Sequence, residues 1–276
     1  MKLWEGLSQE LNFNLMFSQR GVLNLVHNVQ EMRDTARRVN SNKMNGIDAE
    51  LLNTAQVKKL VPILNTSTDV RYPVLGASYQ SRGGTARHDA VAWGFARAAN
   101  DLGVDIIQNC EVKGIRIDNG QVRGVDTTKG FIETSKLGLA VAGNSTILGD
   151  MAGLRLPIET HPLQALVSEP IKPIMDCVVM SNAVHAYVSQ TDKGELIIGA
   201  GIDQYSGYGL RGSYSVVEST IESVVEMFPI FSRLRLLRHW AGAVDISPDA
   251  SPILGKTHIK GLYLNCGWGT GGFKST

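Results

Sequence analysis

The chain has 276 residues, 43% hydrophobic and 19% charged, with 27 Lys and Arg against 26 Asp and Glu and a net charge of +1. This is the composition of a folded globular protein of one large or two modest domains, and the balanced charge excludes nucleic acid or another polyanion as principal partner. No apolar run approaches eighteen residues, which excludes a membrane-crossing helix, and three widely spaced cysteines (Cys110, Cys177, Cys266) give neither a disulfide frame nor a metal set and imply a cytoplasmic setting.

Residues 1–12 predict a helix, with Leu3, Leu7 and Leu11 recurring at spacing four. Phe13 to Val26 holds strand-like stretches. Gln30 to Asn42 reads as a polar helix whose Arg33, Arg37 and Arg38 lie on a solvated face. Asn53 to Leu60 reads as a short capped helix, and Pro62 and Pro73 bracket a loop. A helix from Asp89 to Leu102 carries an apolar stripe of Val91, Phe95, Ala98 and Leu102 and stops at Gly103. Val104 to Val112 predicts a strand. Two alternating runs then flank Asn119-Gly120, a strong hairpin signal, and Gly130 to Thr134 extends the meander. A buried strand, Leu137 to Ala142, enters Gly143-Asn144-Ser145 and a helix that runs through Met151.

The second half is richer in strands, predicted at 164–169, 185–190, 195–200 and 238–244. A helix from Ser215 to Phe228 places Val217, Ile221, Val224 and Val225 on one side. On the 185–190 strand His185 and Tyr187 alternate with Ala186 and so share a face. The chain closes on a buried strand, Gly261 to Cys266, that runs into Gly267-Trp268-Gly269-Thr270-Gly271-Gly272-Phe273-Lys274. Glycines in such a turn remove the Cβ atoms that would keep backbone N–H groups away from an anionic cofactor.

Trp240-Ala241-Gly242, the Pro248-Asp249 turn and Pro252-Ile253-Leu254-Gly255 together form a pattern that resembles the flavin amine oxidoreductases of the D-amino-acid-oxidase-like superfamily. The turn Gly267 to Lys274 resembles the flavin-facing loop of that superfamily, and Val141-Ala142-Gly143 also fits. Within it the chain is most similar to the β chains of heterotetrameric sarcosine oxidases. That likeness includes Phe17-Ser18-Gln19-Arg20-Gly21-Val22 and His161 to Glu169.

The resemblance implies a mixed α/β fold in which an incomplete FAD-binding Rossmann-like domain is interleaved with an antiparallel-sheet substrate domain. Its segments would be 1–70 (substrate domain), 71–155 (FAD-binding domain), 156–245 (substrate domain) and 246–276 (FAD-binding domain). The family opens with a strand and a Gly-x-Gly-x-x-Gly turn and continues past Lys274. No such opening is found here, so the chain is expected to be a fragment that alone exposes an apolar edge and aggregates.

For single residues the resemblance implies FMN joined covalently to His88, and FAD held noncovalently by Val112, Ala142, Gly143, Gly269, Thr270, Gly271, Gly272 and Lys274. It also implies that Lys274, Tyr187 and His185 act as catalytic groups. The bland readings are a cap for the helix that starts at Asp89 or polar surface for His88, a surface lysine for Lys274, a satisfied histidine for His185, and core residues for Tyr187 and Val112. The implied reaction is oxidation of sarcosine (N-methylglycine) to glycine, a one-carbon unit and hydrogen peroxide, with oxygen as acceptor. The implied partners are the other subunits of a heterotetramer, which carry NAD and a folate site. Two alternatives stand: a related oxidase or dehydrogenase for dimethylglycine, proline or glycine, and a non-catalytic structural remnant.

Overall fold

A computed structural model of the chain describes residues 2–275, less the side chains of Ala200, Lys274 and Ser275. The first part contains α1 (Lys2–Glu10), β1 (Val22–Val26), α2 (Val29–Met44), β2 (Glu50–Asn53), α3 (Thr54–Leu60), β3 (Gly76–Gln80) and α4 (His88–Asp101). There follow β4 (Val112–Asp118), β5 (Gln121–Thr127), β6 (Gly130–Glu133), β7 (Leu137–Leu139) and α5 (Ser145–Met151). The rest comprises β8 (Glu159–Ser168), β9 (Val178–Ser181), β10 (Ala186–Gln190), β11 (Leu196–Ile202), α6 (Tyr214–Met227), β12 (Leu236–Ile246), β13 (Ile253–Lys256) and β14 (Leu262–Cys266). No described helix is long and apolar enough to cross a membrane.

The chain divides into two compact units, Met1–Val104, Gln164–Gly201 and Ser213–Trp240 in the first, Asp105–Leu163, Ile202–Gly212 and Ala241–Thr276 in the second. In this division residues 71–104 pack with the first unit.

The first unit is built on a sheet of order β12-β8-β11-β10-β9-β1-β3-β2, of which the first residues of β8 and the last of β12 belong to the second unit. β1 lies parallel to β9, and β1–β3, β2–β3, β9–β10 and β10–β11 are antiparallel. One face is apolar because alternate residues of the central strands β1, β9, β10 and β11 are mostly aliphatic. Leu23, Leu25, Val179, Val188 and Ile198 bury there with Val57 of α3 and Val224 and Met227 of α6. Along α6 the fully buried positions are Val216, Thr220, Val224 and Met227, a stripe turned slightly from the expected one. α3 starts with a capping box, in which Asn53 and Gln56 satisfy each other's backbone N–H groups. Gln190 fastens the irregular segment 171–175: its carbonyl accepts from Ile174 and Met175 N–H at 2.8 and 3.2 Å, and its amide donates to the Lys172 and Gly194 carbonyls, each at 3.0 Å.

In the second unit β4, β5 and β6 form an antiparallel meander. Asn119 and Gly120 both take left-handed backbone (φ 49° and 71°), as a tight two-residue hairpin loop requires. A separate sheet has the order β13-β14-β7, with β14 parallel to β7. Ile115, Val122, Val125, Leu139, Leu154 and Leu262 close the core of this unit.

Three expectations are corrected. Residues 104–111 form no strand; Val104, Ile106 and Ile107 are about half exposed, since no neighbouring strand offers them a ladder. The α4 stripe is buried at Val91, but Phe95 and Leu102 are open to solvent: the face that packs runs through Val91 and Gly94, against Leu11, Phe13 and Leu15. His185 lies in the turn before β10 with φ 48°, which breaks the alternation that would have aligned it with Tyr187.

Candidate active site

The candidate residues fall in two places, one in each unit. In the second unit two turns leave the same ends of the parallel strands β7 and β14, where open α/β sheets bind their ligands. The turn after β7 is Ala142-Gly143-Asn144, with Ala142 in left-handed backbone (φ 44°) and exposed. Gly143 is buried; a Cβ there would stand 2.7 Å from the Ala243 methyl, so only glycine lets β12 pass. The Gly143 carbonyl accepts from the Thr160 hydroxyl at 2.7 Å, and the Ala142 carbonyl from the Ser145 hydroxyl at 2.5 Å.

The turn after β14 is pinned by a buried acid. Asp245, 3% exposed, accepts the Gly267 N–H at 2.5 Å. Gly267 and Gly269 have φ of 72° and 53°, which L side chains resist. Gly267, Gly269 and Gly272 also stand at Gly-x-Gly-x-x-Gly spacing after a strand, although the sequence was expected to hold no such fingerprint. The spacing alone is a weak signal, and a 3-10 turn over Gly269–Ser275 follows it here, not an α-helix. Nothing lies within 4 Å of where a Cβ on Gly271 would stand, and only the Asp245 carbonyl oxygen, at 3.7 Å, near one on Gly269. The backbone is thus bare to a flat ligand, and these residues fit a flavin. Gly272 packs against Trp268, and Thr270 is exposed. The Lys274 side chain lies outside the described residues.

A cavity of about 790 Å³ lies beside the turn, lined by residues 155–159 and by Ile246, Ser247 and Pro248, which directly follow Asp245. Cys266 is fully buried; burial and then the Asp245 charge push its thiol up, partly offset by a hydrogen bond with Ser145, so it stays neutral. Val112 opens β4 in the other sheet of this unit, half-buried on the apolar cluster.

In the first unit Tyr187 stands on the sheet face opposite the core. It belongs to a cross-strand row, Leu51–Ser78–Asn24–Met180–Tyr187–Gly199, that crosses six strands. Ser78, Asn24, Met180 and Tyr187 are half-buried. Burial raises the Tyr187 phenol above its usual pKa, so it is a neutral donor and acceptor near pH 7. His185 is exposed in its turn. His88 is the exposed first residue of α4; the residue before it, Arg87, holds the cap position without a side-chain bond and pairs with Asp89. His88 therefore does not cap the helix. The roles of Asp245, Thr160 and the row residues Asn24, Ser78 and Met180 escaped the sequence reading, since each depends on strand register.

Residues 1–276 match the family described as FAD dependent oxidoreductase. The chain belongs to that family. It is 57% identical over 276 residues to "Sarcosine oxidase subunit beta" of Arthrobacter sp, covering 100% of this chain and 68% of the relative. It is 56% identical over 273 residues to the protein of the same name from Rhodobacter capsulatus, covering 99% of this chain and 66% of the relative. The chain thus spans about two thirds of the length of these curated relatives. Among solved structures it is similar to L-proline dehydrogenase from P. horikoshii, with TM-score 0.90, 29% identity, and coverage of 99% of this chain and 72% of that one. Glycine oxidase from Geobacillus kaustophilus (TM-score 0.86, 21% identity, 98% and 72% covered) shares the fold of this flavoenzyme family. The mixed α/β architecture expected from the sequence is the family's own.

Proposed function

We propose that the chain carries the site of a flavin-dependent oxidase for sarcosine. The observation that supports this best is the 57% identity, over the whole chain, to a relative named sarcosine oxidase subunit beta. In the overall reaction sarcosine, oxygen and water give glycine, formaldehyde and hydrogen peroxide. A folate acceptor would take the one-carbon unit in place of its release as formaldehyde. FAD, when bound, supplies the two-electron acceptor, and FMN on His88 would relay the electrons to oxygen.

The chain's own residues prepare that step. Ala142, Gly143, Gly269, Thr270, Gly271 and Gly272 would bear the FAD, with Val112 toward its adenine end. Asp245 holds the second turn rigid by taking the Gly267 N–H, a charge-assisted bond in a buried place. In this reading the neutral Tyr187 phenol serves the amine and the Lys274 ammonium, a compact charge, suits the carboxylate; His185, exposed in its turn, does not share the Tyr187 face. An exposed imidazole on the first turn of a fourteen-residue helix suits His88 to a flavin whose phosphate is favoured by the helix dipole. The other subunits of a heterotetramer would complete the enzyme in the cytoplasm.

The test is the whole enzyme, purified with its partner subunits and assayed for peroxide with sarcosine and with L-proline. Turnover of sarcosine, and a peptide around His88 that carries the mass of FMN and loses it in His88→Ala, is the expected outcome. Preference for L-proline would move the reading to the second candidate, which the match to L-proline dehydrogenase favours. A colourless, inactive protein would overturn both.

A further inference from the structure

The strand row of the first unit has one residue with no side chain, Gly199, paired directly with Tyr187. A Cβ on Gly199 would stand 2.6 Å from Cε1 and Cζ of the Tyr187 ring and 2.7 Å from its hydroxyl oxygen, nearer than real Cβ atoms come. The hydroxyl end of the ring therefore lies over the Gly199 α-carbon. Gly199 is not in left-handed backbone, so its own conformation does not require glycine. What requires it is the ring.

The consequence lies on the other side of Tyr187. Its other neighbour in the row is Met180, followed by Asn24 and Ser78. The ring leans toward β11 and so away from these three positions. The Asn24 amide and Ser78 hydroxyl make no hydrogen bond among the described residues, although both are half-buried. Their polar atoms are not sealed from water, which a ligand's donors and acceptors can replace.

We infer that Gly199 is a positioning residue: it seats the Tyr187 phenol over β11 and so keeps the strip Met180–Asn24–Ser78 open for a small zwitterionic amine. This inference rests on the reading of Tyr187 as a substrate-side group. A methyl at position 199 drives the ring off its seat, toward Met180 or out into solvent.

The experiment is a double-mutant cycle in the holoenzyme with Gly199→Ala, Tyr187→Ala and both together, assayed with sarcosine. Gly199→Ala alone is expected to lower kcat/KM on the order of 10²-fold, the effect of misplacing a site group by about 1 Å. In the Tyr187→Ala background, where there is no ring to displace, the same substitution is expected to change nothing further. An ultraviolet titration, with Tyr187→Phe as the reference, gives a readout independent of turnover: the displaced phenol should ionise closer to the ordinary tyrosine range of about 10, below its raised buried value. Equal losses from Gly199→Ala in both backgrounds, or unfolding even without the ring, would show that Gly199 serves packing alone and would overturn the inference. If Tyr187→Ala is itself fully active, the role given to Tyr187 fails. If Tyr187→Ala is impaired but Gly199→Ala is not, only the positioning role fails.

Discussion

The carboxylate of Asp245, at the end of β12, takes the N–H of Gly267, the first residue after β14, at 2.5 Å and 3% exposure. A residue 22 positions away in sequence thus sets the first peptide of the glycine turn. Asp245→Ala leaves the Gly267 N–H buried without a partner, which costs about 1–3 kcal/mol. We expect Asp245→Ala to lower the urea midpoint and to weaken flavin retention more than its stability loss alone explains. Asp245→Asn, which keeps an acceptor oxygen, should lose less on both measures. Equal flavin affinity in all three proteins would remove Asp245 from the site.

Gln190 offers a second test of a single side chain. It is 7% exposed and ties the backbone of residues 171–175 and Gly194 through both ends of its amide. Gln190→Ala strands several buried backbone groups at once. The expected loss is about 2–4 kcal/mol, from two or more unmet groups. Gln190→Glu keeps the acceptor side but replaces the two-donor NH2 by one repelling oxygen facing two carbonyls, and should be nearly as damaging. Urea denaturation followed by circular dichroism decides it; a loss below 1 kcal/mol, the scale of one ordinary hydrogen bond, would contradict the account.

The elements legible in the sequence are those whose cause is local. Asn119-Gly120 needed only two left-handed residues between alternating runs, and Asn53 with Gln56 needed only a spacing of three. The family's glycine turn and its Trp240 to Gly255 pattern were legible for the same reason. Val104 to Val112 was misread because a strand exists only if a neighbour pairs with it, and apolar composition does not say whether one does. His185 was misread because one left-handed residue, invisible to an alternating pattern, turned it off the strand. The partners Asp245–Gly267, Gly143–Ala243 and Tyr187–Gly199 join different elements, so register had to be known before any could be seen.

The thiols give a prediction with a pH sign. Cys177 is 4% exposed, and burial pushes its thiol from 9.0 up to about 11. A folded-state value above the unfolded one means the contribution to stability is whole below about pH 9 and is lost as pH climbs toward 11. The urea midpoint should therefore fall across that window, less steeply in Cys177→Ala. At pH 8 a thiol reagent should modify native Cys110, which is partly exposed, and should reach the buried Cys177 and Cys266 only after unfolding. Rapid modification of all three in native protein would contradict the packing.

Gly143 tests whether the first turn is as tight as its geometry. A Cβ there meets the Ala243 methyl at 2.7 Å and the Ala243 backbone oxygen at 2.9 Å. Gly143→Ala forces β12 and the turn apart, an overpacking cost of about 1–3 kcal/mol, and shifts the carbonyl that accepts from Thr160. Ala243→Gly removes the methyl but not the backbone oxygen, so the double variant should regain part of the stability and not all of it. Flavin retention should follow the same order, wild type above the double variant and the double variant above Gly143→Ala. Additive losses in the double variant would mean that the two residues do not press on each other as the 2.7 Å approach requires.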